Sequence, residues 1–261
     1  MNYIKKSPFE KPFAWSYSKL KNYNTCPKRH YHVDLVRDVV ETEGEELKWG
    51  NYLHDKLACA IGTDDNEQRE PRDRIPYEPL PKDLLRFQPW VVRFRKARES
   101  GAHVFTELQL AITREFQPCA WFAKEAWFRT KVDVLIITPD WRYAAGYDWK
   151  TGKRLDETEQ LLMSALTLMI HYRSVQAVRT EYVWLKDWNG LDDKSAMDRV
   201  CSRVAFARTD TAEMWNSVAP KVMRLETAFA NREYPAKPSG LCRAHCPVTD
   251  CEHNGKGRNL R

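Results

Sequence analysis

Residues 131–153 constrain this chain more than any other stretch: Lys-Val-Asp-Val-Leu-Ile-Ile-Thr-Pro-Asp-Trp-Arg-Tyr-Ala-Ala-Gly-Tyr-Asp-Trp-Lys-Thr-Gly-Lys. Two apolar runs, 132–137 and 143–149, flank the turn-formers Thr138-Pro139-Asp140, which predicts a β-hairpin. A turn centred between Asp140 and Trp141 sets residue 133 opposite residue 148. Directly opposed residues share a face, with Cα atoms about 4.5–5.5 Å apart. Asp133, Asp148 and Lys150 therefore converge on one patch.

Two carboxylates and an ammonium at the end of an apolar hairpin are an expensive arrangement. Adjacent carboxylates repel, and a buried charge needs a partner. A divalent cation removes that cost, and an oxygen-rich set favours Mg²⁺ or Mn²⁺ over a thiophilic metal. Mg²⁺ leaves most of its positions to water and phosphate, which suits phosphodiester hydrolysis. The competing reading of the same residues is a surface hairpin carrying an ordinary Asp–Lys pair.

An Asp followed by Asp-x-Lys-Thr-Gly, here Asp133, Asp148 and Lys150, resembles the core of the PD-(D/E)XK nucleases, in particular their RecB-like branch. Residues 16–27 read Ser-x-Ser-x-Leu-x-x-Tyr-x-x-Cys-Pro and look like the opening of RecB-like nuclease domains. Gly50-Asn-Tyr-Leu-His54, inside a helix predicted over 45–61, matches the Gly-x-x-x-His element that supplies a histidine to the metal in that family. Gln160 matches the glutamine opening Gln-x-x-x-Tyr, although residue 164 is Ser and Thr130 stands where a Gly often precedes the first Asp.

The resemblance implies an α/β fold, a mixed central β-sheet flanked by helices as in restriction endonucleases. It also implies a metal set of His54, Asp133, Asp148 and the Trp149 carbonyl, with Asp133, Asp148, Lys150 and Gln160 as the catalytic residues. Lys150 would position or deprotonate the attacking water, and Gln160 would orient Lys150 or the phosphate. DNA is the implied substrate. A single-strand-annealing or recombination protein is a candidate partner, and an exonuclease of phage replication, recombination or repair is the implied role.

Around this centre the chain reads in order. Residues 62–81 are polar and punctuated by Pro71, Pro76, Pro79 and Pro81, a connecting loop. A helix over 82–99, interrupted at Pro89, places Leu84, Phe87, Val91 and Phe94 on one side and Arg86, Arg93, Arg95, Lys96 and Arg98 on the remainder. Arg86, Arg93, Lys96 and Lys153 are the candidate DNA-backbone contacts, with a solvated basic face as the alternative. Residues 104–112 alternate as a strand, where Glu107 is a candidate further carboxylate or a solvent-facing glutamate. A nearly all-apolar helix over 156–172, strands over 179–186 and 200–207 and a helix over 211–231 complete the body.

The net charge of +6 is spread along the chain and is compatible with a polyanionic partner. No run of about 18 apolar residues exists, so no membrane span is expected, and the opening Met-Asn-Tyr-Ile-Lys-Lys-Ser-Pro lacks the apolar core of a signal peptide. Cytoplasmic residence is the resulting expectation.

The second informative stretch is Pro238-Ser-Gly-Leu-Cys242-Arg-Ala-His-Cys246-Pro-Val-Thr-Asp-Cys251-Glu-His253. Three cysteines among Gly and Pro turns cannot bury a core but can fold around a metal. In several RecB-like nucleases one early cysteine and three late ones bind a 4Fe-4S cluster, and Cys26, Cys242, Cys246 and Cys251 match that distribution. Zn²⁺, with His245 or His253 as substitute ligands, is the alternative. Cys59, Cys119 and Cys201 read as ordinary interior residues. The expectation is one nuclease domain over 1–261, whose tail, 238–253, closes as a cysteine-rich cap on the N-terminal helix around Cys26. A non-catalytic DNA-binding protein with a structural zinc or iron-sulfur site is the rival reading, and a purely structural phage or host-interaction protein a third.

Overall fold

The computed structural model describes residues 7–39, 44–155 and 157–255. Most of the opening octapeptide, and Asp156 at the start of the helix expected over 156–172, lie outside these residues. Among the described residues no helix is long and apolar enough to cross a membrane.

Helix α1 (Tyr17–Thr25) begins at Ser16, whose hydroxyl accepts the Lys19 N–H at 3.4 Å, and stops at Cys26, where Pro27 opens the short α2 (Pro27–His30). Helix α3 (Glu45–Ile61) follows Gly44. The predicted 82–99 helix divides where Pro89 falls, into a 3-10 segment, Lys82–Phe87, and α4 (Gln88–Glu99). Next come strands β1 (His103–Ile112), β2 (Pro118–Cys119), β3 (Phe128–Ile137) and β4 (Tyr143–Lys150). Helix α5 (Glu159–His171), β5 (Ala177–Trp184), α6 (Lys194–Arg199), β6 (Cys201–Ala207) and α7 (Thr211–Asn231) complete the order.

The strands form one six-stranded sheet in the order β2-β1-β3-β4-β5-β6, antiparallel throughout except for the β4–β5 pair. That pair is parallel because α5 carries the chain back along the sheet between the two strands. The β3–β4 turn closes at Thr138, whose N–H donates to Tyr143 O at 2.9 Å. The rungs run from Ile137↔Ala144 to Val134↔Tyr147, the register that sets 133 against 148.

The sheet separates two apolar clusters. One holds α5 and α7 against it, with Leu166, Leu168 and Met169 facing the α7 stripe Met214, Val218, Val222 and Leu225. The other holds α3 and α4, through Leu53, Leu57, Trp90 and Phe94. Helix α5 is apolar almost all round because it lies between the sheet and α7. This mixed α/β architecture with flanking helices is the one expected for a restriction-endonuclease-like core.

Candidate active site

Strand alternation fails at one rung, and the site is built there. On β3, Phe128 and Val132 pack in the α5/α7 cluster, Val134 in the α3/α4 cluster, and Leu135 and Ile137 back in the first. On β1, Leu108, Leu110 and Ile112 pack in the first cluster and Val104 in the second. Both strands therefore shift face at the Glu107–Asp133 rung. The β1–β3 ladder runs through Thr106↔Val134 and resumes at Leu108↔Val132, so register survives while Glu107 and Asp133 drop out of pairing. Glu107 sits at φ 52°, a left-handed conformation that costs a non-glycine residue about 1–3 kcal/mol and that clusters at functional sites.

This shift turns Glu107 and Asp133 toward His54, the middle of α3. One ligand atom from each of the three lies within 4.8 Å of the others. His54 Nδ1 is 3.4 Å from Asp133 Oδ2, and the same carboxylate oxygen accepts the Trp149 N–H at 2.7 Å. Asp133 thus takes over the role of a ladder acceptor where β3 and β4 begin to part. Burial disfavours the imidazolium form of His54, but the hydrogen bond to Asp133 and the charges of Asp133 and Asp148 outweigh it, so its pKa rises.

Asp148 and Lys150, two residues apart at the end of β4, form the other half. Lys150 Nζ is 2.5 Å from Asp148 Oδ2 and donates to Gln160 Oε1 at 3.1 Å, while Gln160 Nε2 donates to Asp148 Oδ1 at 3.3 Å. Gln160, in the first turn of α5, therefore holds both partners. Burial pushes the Asp148 carboxyl up to about 6; Lys150 opposes that rise and Asp133 adds to it. Asp148 stands outside the compact His54–Glu107–Asp133 group.

Two residues join the site that the motif reading had not assigned or had left open. Glu107 completes the carboxylate set, with one buried oxygen, Oε1, that has no hydrogen-bond partner and with Lys131 paired to the other. A buried carboxylate oxygen without a donor, beside a second carboxylate and an imidazole, is the donor set a hard divalent cation takes. Tyr182 stands opposite Asp148 on β5. Lys150 Nζ lies 4.7 Å from its ring centroid, and its hydroxyl reaches Gln160 Oε1 at 3.5 Å. Burial, and then the Asp148 charge, raise the Tyr182 pKa, which keeps the phenol protonated.

The basic candidates are dispersed. Arg93 lies over Trp90 and Tyr147, at 5.5 and 5.8 Å from the ring centroids. Arg95 donates through Nε to Ala60 O at 2.9 Å, and Arg98 through Nη1 to Ile61 O at 2.9 Å while pairing with Asp64. Arg95 and Arg98 thus satisfy open carbonyls at the C-terminus of α3, and Arg93 stacks on rings, rather than the α4 arginines forming a continuous basic track. Arg86 is exposed over the Phe87 ring, and Lys96 and Lys153 are exposed.

The four cysteines Cys26, Cys242, Cys246 and Cys251 line one cavity of about 360 Å³ between α1, α2 and the tail, with His245 and His253 also on its wall. The Lys237 N–H points at Cys26 Sγ and the Ser239 N–H at Cys242 Sγ, each at 3.4 Å. Among the described residues no three ligand atoms of this group lie within 4.8 Å of one another. Cys59 and Cys201 are buried and Cys119 is half-buried on β2.

The family model described as the PD-(D/E)XK nuclease superfamily matches residues 14–251, a span running from just before α1 through the last tail cysteine. Comparison with curated proteins gives no match. Nearly the whole chain fits the family model, on a six-stranded mixed sheet whose central strands carry Asp133, Asp148 and Lys150, and the chain belongs to the PD-(D/E)XK nuclease superfamily.

Proposed function

We propose that the protein is a Mg²⁺- or Mn²⁺-dependent deoxyribonuclease acting as an exonuclease in DNA recombination, repair or phage replication, in the cytoplasm. The family supplies the reaction class, a nuclease using a divalent metal. The observation that carries the assignment to these residues is the convergence of His54, Glu107 and Asp133 on one point beside the Asp148–Lys150–Gln160 network. His54, Glu107, Asp133, Asp148 and the Trp149 carbonyl would hold the metal. When bound, it would lower the pKa of a water and offset charge on the scissile phosphate.

Lys150, fixed by Gln160 and backed by the Tyr182 ring, positions the attacking water or receives its proton and stabilises charge developing on the phosphate. Asp148 holds the Lys150 ammonium at the end of β4. The Asp133–Trp149 hydrogen bond keeps the two strands at the spacing the site needs.

For the cysteines we favour a 4Fe-4S cluster over Zn²⁺. Four thiolates bound to one zinc at about 2.3 Å would bring their sulfurs within about 4 Å of one another. The wider arrangement around this cavity supports the larger group. Backbone N–H groups aimed at two of the sulfurs suit thiolate ligation. The cluster's contribution would be structural, tying the tail to the N-terminal helices within a single nuclease domain.

The test is cleavage of end-labelled linear and closed circular DNA with Mg²⁺ or Mn²⁺ by the wild type and Lys150→Ala. Loss of the linear substrate alone, reduced at least about 10²-fold by the substitution, is the expected outcome. Cleavage of circular DNA would replace the exonuclease reading with an endonuclease one. Equal cutting by the variant would remove Lys150 from the mechanism, and no cutting by the wild type under either metal would favour a non-catalytic DNA-binding role.

A further inference from the structure

Each carboxylate of the site has one nitrogen-bearing side chain beside it: Lys150 at Asp148, His54 at Asp133 and Lys131 at Glu107. The first two partners belong to the proposed site, whereas Lys131 has no part in it. Lys131 lies two residues before Asp133 on β3 and diagonal to Glu107 across the β1–β3 pair. Its side chain is 47% exposed, against 18% for Glu107, and its cross-strand partner Gln109 is exposed. The ammonium therefore stands at the mouth of the site, between solvent and a carboxylate of the metal set.

Neighbouring cations are held elsewhere. Arg129 donates through Nε to Trp121 O at 2.6 Å, fixing the loop between β2 and β3, and Arg69 donates to Thr106 O at 2.6 Å and pairs with Asp65 at 3.1 Å. Among the described residues Lys131 has one ion-pair partner, Glu107.

Resting on the nuclease reading above, we propose that Lys131 is a DNA-phosphate-binding residue gated by the metal. Without a divalent cation Glu107 retains the ammonium. When a cation takes Glu107, the pair loses its attraction and gains repulsion between two positive centres a few ångströms apart. Lys131 then turns outward to the phosphate beside the scissile one, so metal and DNA each increase affinity for the other. The left-handed Glu107 suits this role, because the conformation that removes it from the β1–β3 ladder leaves its carboxylate free to choose between two cations.

The experiment measures Mn²⁺ binding by titration calorimetry, and affinity for a labelled duplex by fluorescence anisotropy in EDTA and in Ca²⁺, for wild type, Lys131→Met and Lys131→Arg. Since the side chain is half exposed, Lys131→Met is expected to fold. The expected pattern is tighter Mn²⁺ binding by Lys131→Met without DNA, unchanged DNA affinity in EDTA, and a Ca²⁺-dependent gain in DNA affinity at least about fivefold smaller than in wild type. In Ca²⁺ the salt slope of Lys131→Met should be shallower by about 1, and Lys131→Arg should recover the wild-type pattern. Equal weakening in EDTA and Ca²⁺ would mean a permanent contact, and no weakening in either would mean none; both overturn the gate while leaving the nuclease site standing. Wild-type protein that binds no Mn²⁺, or binds it unchanged in Asp133→Asn, overturns the site reading and the gate together.

Discussion

Asp148 is held between two opposing forces: removal from water favours its neutral acid, and Lys150 at 2.5 Å favours its carboxylate. Burial wins, lifting the group from the ordinary carboxylate range to about 6. Between about pH 4 and 6 the native state then keeps a proton that the unfolded chain has released, so this group's contribution to stability falls as pH rises through that window. At about 1.4 kcal/mol per pH unit the full cost above pH 6 is about 2–3 kcal/mol. Asp148→Asn should therefore melt higher than wild type at pH 7.5 in EDTA and nearly level with it at pH 4. Mg²⁺ should reverse the order at pH 7.5 by stabilising the wild type alone. Thermal melts under these three conditions check it, and a pH-independent difference between the proteins would contradict the assignment. The sequence revealed Asp148 and its neighbours because a short turn fixes register, and register fixes which side chains meet. It left Glu107 ambiguous, since nothing in an alternating strand announces a left-handed residue. It did not show Tyr182, whose pairing with Asp148 is parallel and passes through α5, beyond the reach of any local pattern.

At the scale of elements, α3 must come close to the end of β4 to bring His54 to Asp133, and Gly50 lies on that approach. A Cβ at position 50 would lie 2.9 Å from Thr151 Oγ1, the residue following Lys150. The glycine of the Gly-x-x-x-His pattern thus matters by its size, four residues from His54 on the same side of the helix. Gly50→Ala improves helix propensity by about 1 kcal/mol, so global stability should change little. The steric push on Thr151 should nevertheless displace Lys150 or His54 and lower kcat by about tenfold. Thr151→Ala removes the clashing hydroxyl, and the double variant should regain most of the lost rate, a coupling that a double-mutant cycle measures. Additive losses would place the role of Gly50 elsewhere. Elements were legible where period and punctuation agreed: α3 and α7 have the bounds the sequence predicts. The basic side of α4 was legible as charge but not as purpose, because the α3 carbonyls that occupy Arg95 and Arg98 belong to a different segment of chain.

Over the whole molecule, the two ends of the sequence meet away from the sheet. Lys28 N donates to Pro235 O at 3.3 Å, Lys237 Nζ to Asn24 O at 2.7 Å, and Lys28 pairs with Glu252 at 2.9 Å. These contacts are polar and largely exposed, and exposed ion pairs contribute about 0–1 kcal/mol each. The tail has little apolar surface to hold it, since Val248 is its only fully buried apolar side chain among the described residues. Its internal order comes from Asn254, which donates to Cys246 O at 3.0 Å and Val248 O at 2.8 Å, and from the Gly255 N–H on Cys242 O at 2.9 Å. On the reading proposed above, a group held by the four cysteines would cross-link this segment to the N-terminal helices and close a loop of more than 200 residues. Cys26→Ala, which leaves the three tail cysteines in place, should release the tail to limited proteolysis after about residue 235. It should also abolish absorbance near 400 nm in protein purified without oxygen, while the α/β core keeps its far-ultraviolet dichroism. A colourless wild type containing one zinc per chain, lost in the same variant, would keep the cross-link and change its metal. A tail equally resistant to protease in Cys26→Ala would show that the polar contacts hold it unaided, and the four cysteines would then have no structural partner to explain their meeting.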